Sequence, residues 1–286
     1  MSTKQEVIHS ISETTMDIMI PVASQKQLAF EDFTDGIKKW RIWLLLAYQD
    51  IKLRYRRSIL GPFWITMSMA ITVYSMGYLY GHLFHIPIQE YFPYLIAGML
   101  GWSLLSTTVT ELVDTFSLSQ VMLKQIKLPY SLYVHRITAK NMIIFFHNLL
   151  VMIPLIFFQT NIKMDWHLLL LLPGLLFIYV NAICYGIVLA MIGARYRDIP
   201  QIIKSFITVI FFVTPIMWKL DILPPDKQLI VLLNPFYSFI ELLRGPLIGY
   251  TPHVLNFIIV SAITCIGMVL CYVLFSAHRA RIIYWL

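Results

Sequence analysis

The chain has little charge. Of its 286 residues, 22 are Lys or Arg and 15 are Asp or Glu, 13% in all, against about 25% in soluble domains. Apolar residues fill 58% of it. That excludes a large soluble domain and points to a polytopic membrane protein. Cysteine is scarce too. Cys184, Cys265 and Cys271 all fall inside apolar runs and form no CxxC pair, so neither a zinc ribbon nor a disulfide framework is implied. The dipeptide Gly-Lys is absent, and with it any GxxxxGK[ST] loop, so this chain is not expected to bind ATP. HExxH and Gly-x-Ser-x-Gly are missing as well, which removes the common hydrolase signatures. Residues 1–36 are polar and lack the apolar stretch of a signal peptide. Glu111 and Asp114 lie at the inner end of an apolar run and read as partners for cytoplasmic lysines, not as a catalytic pair. No metal site, catalytic residue or resident cofactor is expected.

What is present is apolar length. Six segments, near 62–84, 92–113, 138–158, 168–193, 201–218 and 254–275, approach the ~20 residues a spanning helix needs. The basic residues sort around them. With the N-terminus placed in the cytoplasm, eighteen Lys and Arg fall inside, and only Lys163, Lys219, Lys227 and Arg244 fall outside. This bias predicts six spans with both termini cytoplasmic. It also accounts for the net charge of +7 without a nucleic-acid partner. The fold class expected is all-α: a six-helix membrane domain over 61–286, preceded by a polar tail over 1–35 and an interface helix over 36–60.

In the interface helix, Ile37, Trp40, Leu44, Ala47, Ile51 and Tyr55 recur at helical spacing on one face. Trp40 and Trp43 are expected at headgroup depth. Such a helix serves either as a surface anchor or as a part coupled to transport. It ends in Arg54, Arg56 and Arg57, ahead of a bend at Gly61-Pro62. Arginines there mark the cytoplasmic edge, where anionic headgroups attract them. Residues 229–250 are interrupted at Asn234-Pro235 and at Gly245-Pro246. They predict two short helices dipping into the outer leaflet, with Glu241 and Arg244 paired at i, i+3.

Aromatic residues crowd the outer half: Tyr74, Tyr78 and Trp102, and then Phe211, Phe212, Trp218, Phe236 and Tyr237. An interfacial aromatic belt explains part of this set. A surface that stacks on sugar C–H faces is the other reading. On the cytoplasmic side, residues 119–130 predict a short amphipathic helix ended by Pro129. Val121, Met122, Gln125 and Leu128 share one face, with Lys124 and Lys127 beside it. With the loop carrying Arg195, Arg197 and Asp198, it offers a docking face for a soluble partner.

Five stretches together resemble the permease subunit of type-2 ABC exporters, and most closely the O-antigen polysaccharide permeases. They are RYRRSILGPFWITMS at 54–68, LIAGMLGWSLLS at 95–106, KQIKLPYSLY at 124–133, RYRDIPQI at 195–202 and NPFYSFIELLRGPLIG at 234–249. The resemblance covers roughly 36–286. It implies a homodimer in the bacterial inner membrane with two copies of a separate nucleotide-binding ATPase, which would hold the ATP and Mg. The 119–130 helix would be the coupling helix, and 229–250 the outer gate with its Glu241–Arg244 pair. The cargo would be a glycan on a polyprenyl diphosphate lipid, received by Arg54, Arg56 and Arg57, whose guanidinium forks match phosphate oxygens. Capsule glycan or teichoic acid would suit the same machine. A membrane enzyme acting on lipid-linked sugars, or an ion-coupled carrier, would need charged groups within the spans, and these are scarce.

Overall fold

The computed structural model describes residues 24–158 and 165–286. The earlier part of the polar tail and Lys163 lie outside the described residues. The described residues are helical, with no strand among them. The helices are α1 Gln25–Lys38, α2 Trp40–Arg54, α3 Phe63–Leu83, α4 Ile88–Leu118 and α5 Gln120–Gln125. Then come α6 Tyr130–Asn148, which runs through a 3-10 turn into α7 Ile153–Phe158, and α8 Leu171–Arg195. The remainder are α9 Ile199–Val213, α10 Pro225–Leu232, α11 Pro235–Ile248, α12 Val254–His278 and α13 Ile282–Trp285.

Among the described residues, four helical stretches are long and apolar enough to cross a membrane: Ile88–Leu118, Tyr130–Phe157, Trp166–Arg195 and Val254–Trp285. α3 has sufficient length at 21 residues but carries Thr66, Ser68, Thr72 and Ser75. α9 is apolar but has only 15 residues, about 22 Å at 1.5 Å per residue. The protein is therefore an all-α membrane protein with several spans.

α4 is the central post, packed against α8, α6, α11 and α3. Around its N-terminal half, Ile96, Leu100 and Leu104 join Leu175, Ile240 and Leu243 in one core. Around its C-terminal half, Leu112 and Phe116 join Tyr133, Ile187 and Phe275 in a second. Lipid tails are as apolar as leucine, so packing and polar contacts between helices decide the association. Gly193 lets α8 close onto α4, because a Cβ there would collide with the Val113 carbonyl oxygen.

The structure departs from the sequence reading at several elements. The interface helix is preceded by α1, where the sequence suggested only a polar tail, and the two meet at a kink around Lys39. α2 buries Ala47 and Ile51 but leaves Trp40 and Leu44 exposed, and Ile37, at the end of α1, is exposed as well. Trp43 is not at a free surface: its indole N–H donates to the Gly36 carbonyl at 3.2 Å and its ring stacks on His135. The coupling helix spans only six residues and buries Leu123, while Val121 faces out. Pro129 does not end it; Ile126 does so by turning extended, and Pro129 instead caps the start of α6. Asn234-Pro235 separates α10 from α11 as expected, but Gly245-Pro246 does not interrupt α11. That helix continues to Ile248 and stops at Gly249, in the left-handed conformation at φ 91°, a common glycine stop.

Candidate functional site

The fifth apolar run stops being helical at Val213. Thr214 precedes Pro215, and a residue before proline is driven out of the helical region; Thr214 is accordingly extended. Residues 214–218 thus expose carbonyls that no helix satisfies, and backbone at membrane depth tolerates this only where protein supplies the partners. Side chains supply them. The Tyr91 hydroxyl donates to the Met217 carbonyl at 2.6 Å. Tyr94 donates to those of Pro215 at 3.1 Å and Trp218 at 3.0 Å. Arg244 Nη2 donates to Pro215 at 2.7 Å.

Arg244 is fully buried. Its Nη1 meets Glu241 Oε1 at 2.9 Å, and its guanidinium lies over the Tyr94 ring at 4.0 Å. The second Glu241 oxygen accepts from Tyr250 at 2.6 Å. Burial, and then the Glu241 carboxylate beside it, push the Tyr250 hydroxyl far above its ordinary range, so it stays a donor. The predicted Glu241–Arg244 pair is therefore a buried latch joining α4, α11 and the 214–218 segment.

Between α4 and α9 runs a groove of about 450 Å³, lined by Trp102, Ser106, Thr107, Thr110, Thr208, Phe211 and Phe212, with Lys204 at one end. Lys204 pairs with Asp114 at 2.8 Å. Trp102 packs on Phe211 and Phe236, with ring centroids 5.4 and 5.8 Å away. Thr107, Thr110 and Thr208 donate their hydroxyl protons to carbonyls of their own helices. They present acceptor lone pairs outward, to which sugar hydroxyls can donate. The outward face of α9 is apolar and bare, with Phe206, Val209 and Phe212 all exposed.

The predicted aromatics do not form one surface. Trp102, Phe211, Phe212 and Phe236 come together. Tyr74 is turned away, donating to the Val151 carbonyl at 2.9 Å and packing edge-on against Phe92. Tyr78 is exposed beside His82. Trp218 and Tyr237 sit half-buried at the latch end.

The three arginines also separate. Arg54 reaches Glu111 at 3.3 Å, and the other Glu111 oxygen takes Lys140 at 2.7 Å and Asn141 at 2.9 Å. This hub ties α2 to α4 and α6, and Arg136 adds a bidentate pair to Asp50 of α2. Arg56 and Arg57 are exposed and, among the described residues, make no ion pair. Arg57 adopts φ 70° and Gly61 φ 54° at the bend.

Of the predicted docking residues, Lys124, Gln125, Lys127, Arg195, Arg197 and Asp198 are exposed, while Met122 and Leu128 pack on the second core. The segments around Gln120 and Arg195 are bridged by the segment Ile282–Leu286. Gln120 donates to the Leu286 carbonyl, and Arg195 lies over Trp285 at 5.4 Å.

One clasp was not anticipated from sequence. Asp32 of α1, almost wholly buried, accepts from the Tyr130 and Ser131 amides at 3.0 and 2.9 Å and pairs with Arg279 at 3.2 Å. It caps α6 and ties it to the inner end of α12. Ser24 and Gln27, spaced as in a capping box, were the readable sign of α1; the Ser24 amide donates to Gln27 at 2.9 Å.

Residues 41–248 match the family described as ABC-2 type transporter. The chain belongs to that family. It is a transport subunit, and the match spans the groove, the Glu241–Arg244 pair, residues 119–130 and the Arg195–Asp198 loop. It is similar to the O-antigen export system permease protein RfbA of Myxococcus xanthus, 25% identical over 199 residues, covering 68% of this chain and 75% of the relative. It is also similar to two RfbA permeases of Klebsiella pneumoniae, each 22% identical over 234 residues. These matches cover 79% of this chain and 88% or 86% of the relative.

Proposed function

We propose that this chain is the permease subunit of an ATP-driven exporter for O-antigen polysaccharide. It moves glycan linked to polyprenyl diphosphate across the bacterial inner membrane, with both its termini cytoplasmic. α3, α4, the α6–α7 run, α8, α9 and α12 are its six spans. It works as a homodimer with two copies of a separate ATPase, which binds the ATP and Mg and docks on α5 and the Arg195–Asp198 loop. The observation that supports the glycan path is the α4–α9 groove, whose lining combines aromatic faces with outward acceptors. Weak, repeated contacts of this kind let a long polyol slide without trapping it. A second copy against the bare face of α9 would close the groove into a channel. Arg56 and Arg57 receive the diphosphate, since Arg54 is already engaged by Glu111.

Purification of the tagged chain in mild detergent tests this reading. A stoichiometric soluble protein with a GxxxxGK[ST] loop and ATP hydrolysis supports it, and its absence from a folded, dimeric preparation refutes it. Phe212→Ala adds a test of the path. The residue is 65% exposed, so stability should change by less than about 0.5 kcal/mol, while export of long glycans slows. An unchanged chain-length profile on gels of surface polysaccharide would remove Phe212 from the path.

A further inference from the structure

A second space lies behind the groove. It is a cavity of about 420 Å³ between α4, α8, α11 and α12, walled by Leu105, Leu112, Ile178, Phe236 and Phe239. Protein interiors hold few voids larger than a water molecule, and one water needs only about 10–15 Å³ on this measure. This volume falls in the range of ligand pockets.

Two buried polar atoms in its lining have no partner: Thr108 Oγ1 and Asn181 Oδ1. Both residues are more than nine-tenths buried. The Asn181 amide nitrogen is already committed, to the Phe177 carbonyl at 2.8 Å and to Thr264 Oγ1 at 2.7 Å. Thr264 in turn donates to the Val260 carbonyl at 2.7 Å. That chain of bonds leaves the oxygen unpaired, an acceptor in want of a donor. The hydrocarbon of a bilayer supplies none. Water alone would satisfy the polar atoms but leave most of the apolar wall without contacts, and apolar cavities stay dry.

We propose that this cavity binds a long-chain alcohol dissolved in the membrane. Its hydroxyl donates to Asn181 Oδ1, Thr108 offers a second polar contact, and its chain fills the apolar space. Pro235, at the cavity rim, is exposed, which gives a route of entry. Phe236 lines the cavity and touches Trp102 of the groove, so an occupant braces the aromatic wall from behind. The proposal needs membrane embedding only and stands apart from the nature of the cargo.

The test is photolabelling of the full chain in liposomes with a dodecanol that carries a mid-chain diazirine. Adducts should map to α4 and α8 around Thr108 and Asn181. Excess unlabelled dodecanol should remove them from the unaltered protein. Asn181→Leu should weaken labelling by about tenfold, the scale of one lost hydrogen bond, and Ala182→Phe, which fills the space, should abolish it. Labelling confined to the outer surface of α12, at Ile258, Ile266 and Val269, would overturn the proposal. So would adducts that excess dodecanol does not displace, or equal labelling of the cavity by the corresponding diazirine alkane, which lacks the hydroxyl.

Discussion

The two ends of α4 each hold a charged cluster, and the two are built on opposite principles. The latch at its N-terminal end, Glu241–Arg244, is shut off from solvent, with every Glu241 oxygen paired inside the protein. It holds an irregular backbone segment. The hub at its C-terminal end centres on Glu111, which is shared by Arg54, Lys140 and Asn141, and Arg54 is half exposed. It joins regular helices. A desolvated charge cannot be re-solvated cheaply when its partner leaves, whereas an exposed one can. The latch is therefore a single fixed unit, while at the hub the exposed Arg54 tie can be exchanged and the buried Lys140 tie cannot.

The sharpest way to break that contrast is Arg244→Ala. It leaves the buried Glu241 charge without its cation and should cost about 3–5 kcal/mol, read from thermal unfolding of the detergent-purified protein. Arg244→Met with Glu241→Gln should recover much of the loss, because no buried charge then remains. Glu111→Leu should cost less, about 1.5–3 kcal/mol, through the stranded Lys140, whose side chain is 8% exposed. The smallest effect belongs to Arg54→Gln, at about 0–1 kcal/mol, fading as salt is raised. Equal losses for Arg244→Ala and Arg54→Gln would dissolve the distinction between the ends.

Much of this architecture was readable in the sequence. The apolar runs, the Asn234-Pro235 break and the i, i+3 spacing of Glu241 and Arg244 are local patterns, and helix geometry converts them directly into contacts. The pairing of Glu111 with Lys140 and of Asp114 with Lys204 follows from sparse carboxylates meeting abundant cations at one membrane edge. The Asp32 clasp was not readable, because its partners lie 98 and 247 positions away. Nor was the division of the aromatics: Tyr74 and Trp102 look alike by depth, and only the packing of α3 and α9 on α4 turns one inward and the other toward the groove. Gly245-Pro246 misled because α11 tolerates Pro246, at the cost of one backbone bond, and runs on to stop at Gly249.

The hydroxyls along α4 and α9 carry a consequence for selectivity. Thr107, Thr110 and Thr208 have given their protons to their own backbones, so toward a passing chain they can only accept. A wall that answers every hydroxyl in the same way has no means of telling one sugar, linkage or branch from another. On the proposed function, it would read a glycan as a polyol and nothing more. The choice of what leaves the cell would then be made before the groove is entered, and a change of cargo would demand new residues at the loading end while the passage itself stayed the same.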